Sequence, residues 1–263
     1  MTTPDVTITT SSTALPGIRR ISQRDLTWAL AEGWRDFSAM RGEILFLALL
    51  YPLLGLLAAV TAGNPRLLPL FFPLVAGLSV MGPAVASGFY EMARRHEGGL
   101  SSNWQHFLDP LKGRSRGSLL ALTLVLLVLF AAWLAVAWLI HEGTIGVHGP
   151  MDVAEYVRRL FTTREGWTMI VVGNLAGFGF AVTTLVFSVA SFPMVVDKPI
   201  GAGTAIQTSI RAARANPVTV ATWGLLVAGL LVLGSLPAFI GLAVVLPWLG
   251  YATWHLYTRM VER

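Results

Sequence analysis

The stretch SLLALTLVLLVLFAAWLAVAWLI, Ser118–Ile140, decides the fold class, because it contains no Asp, Glu, Lys or Arg. A helix needs about 20 mostly apolar residues to cross a hydrocarbon core of roughly 30 Å. Inside lipid every backbone polar group has to be satisfied within the segment, so an uncharged run of this length reads as a membrane helix. Working outward, five more uncharged runs of similar length appear: Ile44–Ala62 and Leu67–Tyr90 before it, then Thr168–Val196, Val218–Leu236 and Ala238–Tyr257 after it. The expected fold is all-α, a polytopic membrane protein with six transmembrane helices in one membrane domain, residues 17–263. Ahead of it, Met1–Pro16 is Ser/Thr-rich and polar, and is expected to be a disordered cytoplasmic tail.

Composition agrees with this reading. Of 263 residues, 54% are hydrophobic and 13% charged, about half the charged fraction of soluble domains. The net charge of +5 matters less than its placement. Fifteen Lys and Arg precede the first run, lie between runs two and three or four and five, or follow the last; four (Arg66, Arg158, Arg159 and Arg164) fall on the opposite side. The positive-inside rule then puts both termini in the cytoplasm of a bacterial inner membrane, and the basic side is expected to attract anionic lipid. The basic charge is accounted for without nucleic acid. The chain has no cysteine, which excludes disulfides, thiolate metal sites and cysteine nucleophiles. No cleavable signal peptide is read, since the first apolar run begins only at Ile44.

Two amphipathic helices are expected on the cytoplasmic membrane surface. The first starts at the N-cap Ser22 with Asp25 at N3 and places Leu26, Ala29, Leu30, Trp34 and Phe37 at helical spacing, leaving Arg24, Asp25, Glu32, Arg35 and Asp36 elsewhere on the wheel. The second has Ala205, Ile206, Ser209, Ile210 and Ala213 on one face and ends at Asn216-Pro217. Trp104 and Phe107 suit an interfacial anchor on the same side. On the far side, Met151–Thr163 aligns Ala154, Val157, Leu160 and Phe161, a face suited to the outer leaflet. Each cytoplasmic amphipathic helix precedes a hairpin of related spelling. Pro73, Gly77-Leu78 and Pro83 in run two match Pro237, Gly241-Leu242 and Pro247 in run six as P-x3-G-L-x4-P, offset by 164 residues. The order of helix, span, turn and span in both copies points to an internal parallel repeat.

Several stretches carry a family pattern. They are Ala29–Phe37; Leu68-Pro69-Leu70 with Gly82-Pro83, Gly88-Phe89-Tyr90-Glu91, Arg94-Arg95 and Glu97; Ser191-Phe192-Pro193 with Asp197; and Ala252–Tyr257. In these the chain resembles the bacterial integral membrane proteins catalogued as domain of unknown function 2189, over essentially everything after Pro16. Members often have His where this chain has Tyr251. The resemblance implies a bacterial inner-membrane protein and transfers no activity, cofactor or residue role.

Chemistry-bearing motifs are scarce. There is no HExxH, GxSxG or Walker loop, and the runs hold no carboxylate to couple protons or ions. No catalytic residue, cofactor or metal is expected. In run four, Gly173, Gly177, Thr184 and Ser188 form a small-residue stripe for helix packing, and Asn174 reads as an interhelical hydrogen-bonding group or a ligand contact. Pro73, Gly77, Pro83, Pro237, Gly241 and Pro247 read as kinks of the repeat. The offset sets His255 opposite Glu91, each ending a proline-containing run on the cytoplasmic side. That pair is the candidate polar site, able to move a proton, sense pH or bind a metal, against a plainer reading of His255 as part of the aromatic belt. The functional expectation is a non-enzymatic component that assembles with or organises other membrane components, with a membrane-protein partner or a second copy of itself. The alternative is a small-solute or lipid transporter built from the repeated hairpins.

Overall fold

Helix boundaries follow the charges and the helix-breaking residues. The computed structural model describes residues 15–40, 69, 71–149, 151–236 and 241–263. The predicted tail up to residue 14, the predicted span Ile44–Ala62 and Pro237 lie outside the described residues. Among the described residues the regular structure is helical, apart from one isolated antiparallel bridge between Ile18 and Val261.

Helix α1 runs Gln23–Ala39 from the N-cap Ser22, whose backbone N–H and hydroxyl both donate to Asp25 Oδ2 at 2.8 and 2.9 Å. Helix α2 (Phe71–Leu78) passes through a 3-10 turn, Ser79–Met81, into α3 (Gly82–Glu97), which has Pro83 in its first turn. A second 3-10 turn, Trp104–Leu111, leads to α4 (Arg116–Glu142). Helix α5 (Val153–Thr162) follows, then α6 (Arg164–Ser188), α7 (Ser191–Asp197) and α8 (Ala202–Ala215). Helices α9 (Pro217–Ser235) and α10 (Leu242–Met260) close the order.

Four described stretches are long and apolar enough to cross a membrane: Pro73–Glu97, Arg116–Glu142, Arg164–Asp197 and Pro217–Ser235. The third has 34 residues, which at 1.5 Å per residue gives about 50 Å, well beyond a core of roughly 30 Å. The excess is α7, set off by a break at Val189-Ala190 and enclosed by protein at Phe192, Met194 and Val195. At the break the Ser209 hydroxyl of α8 donates to the Val186 carbonyl (2.8 Å) and accepts from the Ala190 N–H (3.1 Å). It supplies the partners that the interrupted ladder lacks.

The sixth predicted span, Ala238–Tyr257, is placed as α10, which is not among the four. Its second half carries Thr253, His255, Thr258 and Arg259, and Tyr251, Ala252, Trp254, Leu256, Tyr257 and Met260 are fully buried. Helices α1, α3 and α9 all pack on it. Gly33 allows the closest approach, since a methyl group there would stand 2.5 Å from the Ala252 backbone nitrogen. Part of the apolar face of α1 that the sequence assigns to the membrane surface is therefore occupied by protein, with Leu26 and Ala29 buried in the core, while Trp34 stays exposed. Asp36, assigned to the polar side of the wheel, is buried on that same face.

Helix α4 packs on α2 and α6 through Trp133. The indole Nε1 donates to the Pro73 carbonyl at 2.9 Å. Methyl groups on Gly77 of α2 and Gly177 of α6 would stand only 2.9 and 3.1 Å from the same ring. One large side chain thus fills the space that two glycines leave, which is how membrane helices gain close contact without a hydrophobic driving force between them.

Candidate functional site

Asp36 is the centre of the polar interior. Its Oδ2 accepts from His255 Nε2 at 2.8 Å, and its Oδ1 accepts from His96 Nδ1 at 2.8 Å. One buried carboxylate therefore joins α1, α3 and α10. A buried charge is tolerated when both oxygens have donors, and here each has one. Trp28 places its ring edge-on to His255 at 5.6 Å, and the Arg259 guanidinium lies 4.0 Å over Trp28. The imidazole is thus fixed by one hydrogen bond and one aromatic contact. Among the described residues no group of three or more His, Asp or Glu is placed to hold a metal ion.

The proposed pair of Glu91 and His255 is not formed, and both residues have other partners. Glu91, also buried, accepts from Arg94 Nε and Nη2 at 2.8 and 2.7 Å and lies 3.7 Å from Arg95 Nη1. The offset alignment set His255 opposite Glu91, whereas the structure pairs His255 with Asp36 and Glu91 with Arg94. His96, in the last turn of α3, also reaches Asp36. The missed signal was the position of Asp36, three residues after Gly33 and seven after Ala29, on the stripe that packs against α10.

A second cluster lies beside the first. Arg263 donates through Nε and Nη2 to the two oxygens of Asp197, both at 3.1 Å, and through Nη1 to Glu97 Oε1 at 2.6 Å. The Tyr257 hydroxyl donates to Asp197 (2.9 Å), and Trp254 Nε1 donates to Glu97 Oε2 (3.1 Å). The bidentate fork holds the ends of α3 and α7 to the C-terminal residues. Asn216 does the same for the N-terminal residues: its Oδ1 accepts from the Ile21 N–H (2.8 Å) and its Nδ2 donates to the Arg19 carbonyl (3.1 Å).

A third cluster borders a cavity of about 270 Å³ between α3, α4 and α7. Its acids are Glu91 and Asp109, and its bases are Arg94, Arg95 and Arg114. The hydrogen bond from His106 (2.8 Å) holds the Asp109 carboxyl below its ordinary range, with lesser help from the charges of Lys112 and Arg95.

The remaining sequence-predicted residues are dispersed. Gly177 faces Trp133, and Thr184 and Ser188 are buried on the same side of α6, while a methyl on Gly173 would meet open space. Asn174 is exposed on the outer side and donates to the Ile170 carbonyl of its own helix at 2.7 Å, so it makes no interhelical bond among the described residues. Pro73 and Gly77 lie in α2 and Pro83 begins α3; Gly241 is the N-cap of α10 and Pro247 lies inside it. On α5, Tyr156 is the buried residue while Val157 and Phe161 are exposed, so the face read from sequence is turned outward.

Long apolar helices around an internal polar network define the class: this is an integral membrane protein with several candidate spans. A family model described as "Predicted integral membrane protein (DUF2189)" matches residues 71–197. That match begins at α2 and ends with α7, a narrower extent than the resemblance read from the sequence after Pro16. No curated protein and no solved structure matches the chain.

Proposed function

We propose that the protein is a non-enzymatic component of a bacterial inner membrane that assembles with, or organises, other membrane components. It has six spans, with Ile44–Ala62 as the first and α10 as the last, arranged as a repeated hairpin with both termini in the cytoplasm. The exposed Val157 and Phe161 of α5 rest on the outer leaflet. The observation that carries this reading is the closeness of the interior packing. Methyl groups on Gly88 and Gly250 would stand 2.4 Å from the Phe107 ring and 2.8 Å from Phe89 Cβ, and Trp133 fills the gap between Gly77 and Gly177. Contacts this close join α3 to α10 and, through α4, α2 to α6, and they suit a scaffold better than a carrier.

Purification in gentle detergent followed by mass spectrometry tests the reading. A stoichiometric membrane-protein partner or a stable homo-oligomer is expected. A monomer without partners that conducts solute in proteoliposomes overturns it in favour of transport. Orientation is tested separately: a reporter fused after Arg263 is expected to be active only in the cytoplasm, and one inserted near Gly146 only outside. Reversal of either result overturns the topology.

A further inference from the structure

We propose that the cavity beside Arg94, Arg95 and Arg114 holds the phosphate of an anionic phospholipid headgroup. This assigns a lipid partner within the proposed role and relies on that role only for the leaflet concerned. The cavity holds about 270 Å³, many times the space one bound water needs. Its two acids are already engaged. Both Glu91 oxygens accept from Arg94, and Asp109 accepts from His106 and lies 3.6 Å from Lys112. Arg95 donates through Nε to the Ser101 carbonyl and keeps Nη1 at ion-pair distances of 3.7 and 3.8 Å from Glu91 and Asp109. Arg114 has no hydrogen-bond or ion-pair partner among the described residues, and it lines the cavity. The lining holds three bases against two acids, and Lys112, paired with Asp109 from outside the lining, adds a further positive charge nearby. Planar guanidinium groups suit phosphate oxygens. Ser115, where α4 begins, also lines the cavity, so the positive end of a long helix adds to the same field.

The other wall distinguishes a lipid from a soluble phosphate. Leu119, Val195 and Val196 make it apolar. Directly beyond Leu119 the same helix exposes Leu120, Leu124 and Leu127. A phosphate seated at Arg114 would therefore lie at the foot of an apolar helix face along which acyl chains can run, the arrangement in which basic groups at a span's end take lipid headgroups.

The test is lipid retention by the full chain purified in detergent, read by native mass spectrometry after titration with phosphatidylglycerol or phosphatidylcholine. Wild type is expected to retain phosphatidylglycerol several-fold better. Arg114→Gln removes an exposed, unpaired side chain, so the fold is expected to persist, with retention falling about tenfold. Arg214→Gln, an exposed basic residue elsewhere, is expected to change nothing. Equal retention of both lipids, full retention by Arg114→Gln, or an equal loss in Arg214→Gln overturns the proposal. Displacement of phosphatidylglycerol by inorganic phosphate at matching concentration also overturns it, because the cavity would then hold a soluble anion. Retention in micelles depends neither on membrane orientation nor on partner proteins, so this failure and failure of the assembly reading are distinguishable.

Discussion

The two ends of the helical array are held together by different kinds of bond. At the end where α3, α7 and α10 finish and α4 and α9 begin, local pairs such as Glu91 with Arg94 are supplemented by polar ties between residues far apart in sequence. Asp36 and His255 are 219 positions apart, Ile21 and Asn216 are 195, and Trp248, which donates to the Leu30 carbonyl, is 218 away from it. At the other end the ties are local. Asp152 caps the Glu155 N–H three residues on, Glu155 accepts from Arg158 and Arg159, and Thr163 caps Gly166. Apolar spans gain little from pressing against one another in lipid, so their relative placement has to be set by close packing and by polar groups. This molecule concentrates the polar groups at one end. Those long-range bonds fix which helix lies beside which, whereas the opposite end is organised turn by turn.

The largest expected effect is at the long-range end. Gly33→Val sets new atoms against the Ala252 backbone, only 2.5 Å from where its Cβ would stand, and backbone cannot move aside as a side chain can. Destabilisation of about 3 kcal/mol or more is expected, read by SDS titration in mixed micelles. Asp36→Ala comes next. It leaves His96 and His255 without their shared acceptor and is expected to cost about 2–3 kcal/mol, with Asp36→Asn recovering part of the loss. A double-mutant cycle with His255→Ala sharpens the point: strong non-additivity is expected because the two side chains share one bond. Additive losses would show that the long-range ties do not set helix placement.

An intermediate effect is expected midway along the spans. Trp133→Phe keeps most of the ring between Gly77 and Gly177 and removes only the hydrogen bond to the Pro73 carbonyl. A loss of about 1 kcal/mol is expected in the same titration. A loss as large as that of Asp36→Ala would place the organising contact inside the membrane and break the contrast between the ends.

The same division explains what could be read from the sequence. Features set by residues within a turn of one another were legible: the cap Ser22 with Asp25, the span Ser118–Ile140 inside α4, and the stop of α8 before Asn216-Pro217. The inward side of α6 was also legible at Gly177, Thr184 and Ser188, because a period of three to four is a local property. Long-range partners were not. A charged residue on an amphipathic helix is ordinarily solvated, so Asp36 was placed with the polar residues, and nothing near it in sequence announces two histidines 60 and 219 positions away. The repeated P-x3-G-L-x4-P spelling likewise conceals a difference. Gly82 stands directly before Pro83, and there the helix is interrupted by the turn Ser79–Met81, whereas Leu246 stands before Pro247 and α10 continues through it. A glycine before proline relaxes the backbone where a leucine with good helix propensity keeps it helical.

The smallest effect is expected at the locally organised end, and it has a defined pH signature. Hydrogen bonds from Arg158 and then Arg159 hold the Glu155 carboxyl at about 2, below its ordinary value of 4.5. A carboxyl depressed on folding contributes stability that is complete above the ordinary value and is lost as pH falls through the lowered one. The contribution of Glu155 should therefore be intact at pH 5 and fade between about 4.5 and 2. Glu155→Gln mimics the protonated side chain, so its small penalty should be visible at pH 6 and should vanish near pH 2 as wild type loses the same ion pairs. Exchange of the α5 amides with deuterium reads this locally: faster exchange in α5 is expected for the variant, with none in α1, α3 or α10. An effect of Glu155→Gln that spreads to α10 would mean the two ends are coupled, and the local character of the α5 bonds would then be no guide to what they hold.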